Sequence, residues 1–240
     1  MAAWLRRCLE VMVPDATQDV IGRPCVVLAP HPDDEVLGCG GTIARKLQHG
    51  TDVAAVFLTD GSRGASGPPD HVRSVREAEA RRAAGVLGLR PDRLSFLGFE
   101  DGRLSEHLDE AVCRLRRSVT TMGILDVFVP YGREYHADHV AAWVIGGAIL
   151  PPGGRLYEYP IWFGPWLWDR LAWRARLAAS RHLLDIRHAV KISITSVAEI
   201  KRRALAAYAS QVSAFSQQGS WGPAFLSGFV RDYELFFLRR

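Results

Sequence analysis

The chain has 240 residues, 48% hydrophobic and 23% charged, a balance that excludes a disordered or fibrous protein and fits one domain over residues 1–240. Its net charge of +4 comes from scattered arginines, with lysine only at 46, 191 and 201, so no basic run marks a nucleic-acid surface. Four cysteines, at 8, 25, 39 and 113, form no CxxC pair, which excludes a disulfide-stapled mini-protein and a Cys-ligated zinc ribbon.

Residues 24–30 form a continuous apolar run, the pattern of a strand buried on both faces. After HPDDE, a glycine-rich start (Gly38, Gly40, Gly41) leads into a helix that Gly50 stops. Residues 52–59 read as a second buried strand, followed by a Gly/Pro-rich loop and a long helix over 71–87. A third strand is expected at 93–97, a helix at 105–119 and a fourth strand at 124–129. Beyond PYGREYHAD come a helix to about 150 and a strand in RLYEYPI. An aromatic segment (Trp162, Phe163, Trp166, Trp168, Trp173) precedes a strand pair near 183–194, a helix near 196–209 and a closing strand over 230–238. Alternating buried strands and helices predict an α/β Rossmann-like three-layer sandwich with a mainly parallel sheet and a less regular C-terminal portion. The first fifteen residues lack a signal-peptide core and the apolar stretch 140–150 is shorter than a membrane span, so a soluble, cytoplasmic chain without membrane or nucleic-acid partners is expected.

Ligands of parallel α/β sheets bind beyond the carboxyl ends of the strands, and two polar clusters fall there. His31-Pro32-Asp33-Asp34-Glu35 follows the first strand, where Pro32 holds His31 extended. His136-Ala137-Asp138-His139 follows the fourth, with two imidazoles three residues apart at a helix start. Each cluster has a structural alternative: carboxylates cap helices, and His-x-x-His occurs by accident on surfaces. Together, at two strand ends of one sheet, they point to a shared divalent ion. Neighbouring carboxylates repel unless a cation lies among them, and imidazole with carboxylate suits Zn2+ or another divalent transition metal.

The segments VVLAPHPDDEVLGCGGTIAR, LTDGSRG, REAEARRAAGVLGL, FLGFEDG and HADHVAA, in this order over residues 24–145, resemble the PIG-L/LmbE-like family of zinc-dependent N-acetylglucosaminyl deacetylases. Ser210-Gln211 and the DYELFF ending are similar too. The resemblance implies metal ligation by His31, Asp34 and His139. It implies Asp33 as general base, His136 as a cation stabilising the oxyanion, and Asp138 as the residue that orients a histidine, His136 being the expected one. Arg76 and Asp101 match residues that contact sugar hydroxyls in relatives; without the resemblance they read as half of an i,i+3 pair with Glu79 and as a turn residue. Glu35 is expected to bond backbone at the helix start. Some relatives carry a tyrosine two residues before the first histidine of HxDH. Here Glu134 stands at that position, leaving Tyr135, Tyr131 or neither for that role.

Successive residues of an extended segment point to opposite sides, which separates Asp33 as base from Asp34 as ligand. The expected activity is zinc-dependent removal of an N-acetyl group from an N-acetylhexosaminide small molecule, in a bacterial metabolite context. Two alternatives share these residues: an amidase for a larger acyl or thiol-conjugate amide, and a non-catalytic sugar-binding protein. Trp162, Trp166 and Trp168 are core aromatics or a wall of the substrate mouth.

Overall fold

Alternate residues of the first two strands face different cores. In β1 (Cys25–Ala29), Cys25, Val27 and Ala29 join one buried cluster, while Val26 and Leu28 join another on the opposite face. In β2 (Val53–Thr59), Val53, Ala55 and Phe57 divide from Ala54, Val56 and Leu58 in the same way. Burial on both faces is why the two runs are apolar throughout. These elements come from a computed structural model that describes residues 11–162, 187–212, 226 and 228–239.

The remaining strands are β3 (Leu94–Phe99), β4 (Asp126–Pro130), β5 (Arg155–Tyr159), β6 (Ala189–Ser193) and β7 (Tyr233–Arg239). They form one sheet in the order β3-β2-β1-β4-β5-β7-β6, parallel from β3 to β5, with β7 antiparallel to both of its neighbours. Among the described residues lie the helices α1 (Thr17–Ile21), α2 (Asp34–Gln48), α3 (Pro69–Leu87), α4 (Leu108–Thr121), α5 (Ala137–Ile149) and α6 (Ala198–Ala206). Residues of α2, α3 and α6 cover the first core cluster, and residues of α4 and α5 cover the second. The result is the expected three-layer sandwich.

Two local expectations change. Only β6 of the strand pair near 183–194 lies among the described residues, and its partner is β7, because the closing strand inserts between β5 and β6. The helix expected from 105 begins as a 3-10 turn, Leu104–His107, before α4. Gly38 and Gly41 are packing residues: a Cβ on Gly38 would lie 2.3 Å from the Tyr159 ring, and one on Gly41 2.6 Å from Ile194. Phe163, Trp166, Trp168 and Trp173 lie outside the described residues. No helix among the described residues is long and apolar enough to cross a membrane.

Candidate metal centre

The chain runs outward from β1 through β2 to β3, then returns to β4 on the other side of β1. The loops after β1 and β4 therefore part company at a topological switch point, where such sheets open a crevice. His31 to Asp33 sit on the first loop with Asp34 and Glu35 opening α2, and His136 ends the second loop with Asp138 and His139 in the first turn of α5. A cleft of about 360 Å³ opens between them, lined by His31, Asp33, Asp34, His136 and His139 together with Arg63, Arg76, Asp101, Ile161, Trp162 and Gln211.

Three buried side chains converge at its floor. Asp34 Oδ2 lies 3.2 Å from His31 Nδ1 and 3.4 Å from His139 Nε2. The outer nitrogen of each ring meets buried carboxylates. His31 Nε2 is 3.1 Å from Asp138 Oδ2 and 3.2 Å from Asp101 Oδ1, and His139 Nδ1 bonds Glu134. Each ring can thus give its outer N–H to a carboxylate and turn its other lone pair toward Asp34, the arrangement of metal-ligating histidines. Donors at about 2.0–2.1 Å from a tetrahedral zinc stand roughly 3.3 Å apart, which is the spacing of each ring nitrogen from Asp34 Oδ2. The donor set fits zinc. Without a cation, protons must fill the gap. Burial opposes charge on His139, but Asp34 and Glu134 outweigh it and lift its pKa to about 9. His31 is likewise raised against its burial by Asp101, Asp138 and Asp34, while Asp34, buried too, is held low by the two rings.

Asp33 has φ 137° and ψ −30°, a sparsely populated conformation for a side chain other than glycine. The segment is therefore a tight turn and not extended, with the Asp34 N–H donating to His31 O at 3.3 Å. This corrects the alternating-sides argument for separating Asp33 from Asp34. What separates them is their partners. Arg76 Nη2 lies 3.1 Å from Asp33 Oδ2 and 2.6 Å from the Pro32 carbonyl, and Arg76 Nη1 donates to Gly61 O at 2.8 Å. Arg76 lines the cleft, yet its terminal nitrogens are taken up by the protein, and Glu79 bonds Ser210 in place of Arg76. Burial lifts the Asp33 carboxyl to about 7 against the pull of Arg76, and the charge of Asp34 adds to the rise.

Glu35 accepts the Asp33 N–H at 3.1 Å and the Tyr208 hydroxyl, and its burial pushes it to about 8. Asp138 does not orient His136 through its carboxylate. That group holds His31 and accepts the N–H groups of Gly102 and Leu104 at 2.7 and 3.1 Å. The Asp138 backbone N–H instead donates to His136 Nδ1 at 3.3 Å. Burial and the neighbouring His31 and His139 push the His136 pKa down. With its Nδ1 accepting the Asp138 N–H, the geometry departs from the doubly protonated ring that the expected cation requires. The ring nitrogens of His31, His136 and His139 come within 4.8 Å of one another, so His136 borders the same space. Asp101 also accepts the Arg63 N–H at 2.9 Å; burial would raise its pKa, but His31 outweighs that and holds it at about 2.

Tyr131 is buried against Phe237, and Tyr135 is 69% exposed beside Trp162 with 5.6 Å between ring centroids. Among the described residues, the cleft wall includes neither tyrosine. Sequence reasoning notes Glu134 only as standing where some relatives carry a tyrosine and gives it no role; its place five residues before His139 is the other signal.

Fold and site together define an α/β protein with a histidine–carboxylate centre at the switch point of its sheet. The profile of the PIG-L family, described as GlcNAc-PI de-N-acetylase, matches residues 26–149, just over half of the chain, and the chain belongs to that family. It is 31% identical over 123 residues to the "Uncharacterized deacetylase YaiS" of Escherichia coli, covering 49% of this chain and 63% of that protein. It is 32% identical over 145 residues to the diacetylchitobiose deacetylase of Thermococcus kodakarensis, covering 58% and 52% respectively. The chain thus spans about half to two thirds of the length of these two relatives. The crystal structure of the conserved protein TT1542 from Thermus thermophilus superposes with a TM-score of 0.66 at 26% identity, covering 90% of this chain and 94% of that one.

Proposed function

We propose that this chain is a zinc-dependent N-deacetylase that removes the acetyl group of an N-acetylglucosamine-type small molecule. The observation that carries the reading is the division of labour between adjacent carboxylates. Asp34 meets both histidines, while Asp33 lines the same cleft held by Arg76. The cleft has the volume of a small-ligand site. The family description and the named chitobiose deacetylase both concern N-acetylated glucosamine units.

His31, Asp34 and His139 would hold the ion. Zinc at this place supplies Lewis-acid polarisation of an amide carbonyl and acidifies water. Asp33, with a carboxyl near neutrality, takes the proton of the attacking water and returns it to the departing amine as the C–N bond breaks, leaving acetate and a free amine. Arg76 keeps that carboxylate aimed and ionisable. His136, with Nδ1 occupied by the Asp138 N–H, has Nε2–H to donate to the developing oxyanion. Asp101 faces the cleft beside His31 and is offered to a sugar hydroxyl.

The test is incubation of zinc-loaded protein with a panel of N-acetylglucosaminides and longer-chain N-acyl analogues, scoring the acid released and the free amine. Acetate from at least one N-acetyl member is expected. Release of only longer acids would establish the amidase alternative, and no turnover with intact zinc would overturn the enzymatic reading.

A further inference from the structure

Glu134 is buried, and both of its carboxylate oxygens are engaged. Oε2 meets His139 Nδ1, while Oε1 accepts two backbone N–H groups, Ile161 at 2.6 Å and Trp162 at 2.8 Å. His139 belongs to the floor of the cleft, and Ile161 and Trp162 belong to its wall. One side chain therefore ties the loop after β4 to the segment after β5 at the point where both enter the cleft.

We infer that Glu134 is a positioning residue, resting on the metal reading above, that holds His139 as the Nδ1–H tautomer with its Nε2 lone pair toward the ion while pinning the cleft wall at Ile161–Trp162. The chemistry leaves little choice. Ile161 and Trp162 offer only donors to Glu134, so Oε1 must be an acceptor. Burial pushes the Glu134 carboxyl up, while His139 and the two backbone N–H groups pull it down; with the group ionised it is acceptor-only at both oxygens, and the nitrogen facing Oε2 then carries the proton. A tautomer is set by the hydrogen bond its other nitrogen makes, and Nε2 is left free to face Asp34 Oδ2, 3.4 Å away.

Glu134→Gln tests this with almost no change of shape. A carboxamide has one acceptor and one donor end. If its oxygen stays on Ile161 and Trp162, its NH2 group meets His139 Nδ1 and favours the wrong tautomer. If it flips, the NH2 group meets two backbone N–H groups. Neither orientation reproduces the native pattern. Zinc affinity, measured by competition with a chromophoric chelator, should fall roughly 10- to 100-fold, the usual effect of losing such a partner. Glu134→Asp, which remains acceptor-only, should recover part of that loss. In the zinc-loaded wild-type protein, histidine nitrogen NMR should show His139 protonated at Nδ1 and coordinated through Nε2. A proton on Nε2 of His139 would overturn the inference whether or not the variants fold, as would zinc affinity in Glu134→Gln within twofold of wild type. These readouts do not depend on turnover: failure to release acetate with these results intact would sink the deacetylase reading alone, whereas a wild-type protein that binds no zinc would sink both.

Discussion

Arg76 reaches from the middle of α3 into the turn after β1, where one guanidinium nitrogen lies 2.6 Å from the Pro32 carbonyl and 3.1 Å from the Asp33 carboxylate. Asp33 occupies a strained backbone position, and Arg76 braces both the peptide before it and its side chain. An opposite charge at this range lowers a carboxyl pKa by about 1–3 units. Arg76→Met should therefore move the acidic limb of the pH–kcat/KM profile upward by about one unit or more. An unmoved limb would separate Arg76 from the base.

The neighbouring carboxylates should part under isosteric substitution. Asp33→Asn should keep its zinc, measured by elemental analysis after dialysis, and lose about 10²- to 10⁴-fold in kcat, since an amide cannot accept the proton. Asp34→Asn should lose zinc, with part of the activity restored by added metal. The reverse pattern would exchange the two roles.

His136 borders the ion's space with its Nδ1 already occupied. His136→Ala should retain zinc and lose roughly 10²- to 10³-fold in kcat, the range for one oxyanion donor. Loss of zinc from this variant would make His136 a ligand.

The metal-free protein should grow less stable as pH rises. His139 has a folded pKa of about 9 against an ordinary 6.5, so its contribution is complete below 6.5 and lost as pH rises through 9. Asp33, at about 7, and Glu35, at about 8, are also raised and act in the same direction from about pH 4 upward. In chelator, Tm should drop by several degrees between pH 6.5 and 9, and saturating zinc should abolish the His139 part of that drop. A flat Tm in chelator would contradict the assignment.

Gly38→Ala probes the packing of α2 on the sheet. The added methyl would lie 2.3 Å from the Tyr159 ring, whose hydroxyl donates to the Leu28 carbonyl at 2.6 Å inside the core. Overpacking of this kind costs about 1–3 kcal/mol, readable as a lower midpoint in denaturant. A midpoint equal to wild type would show that the ring moves freely aside.

The sequence by itself determined the alternation of buried strands and helices and the two polar clusters at strand ends, because apolar runs and turn residues are local signals that need no partner. It also carried the family motifs, and with them His31, Asp34 and His139 as neighbours. Tertiary structure alone decided the contacts between distant segments. The insertion of β7 between β5 and β6 depends on edge pairing across some forty residues, which no periodicity records. Arg76 and Glu79 look like one helical pair in sequence but, both buried, turn to Asp33 and Ser210, partners that distant segments bring against them. Asp138 turned from His136 to His31, and Glu134 joined His139 to the cleft wall, for the same reason: a buried carboxylate must collect its donors from whatever the fold brings within reach.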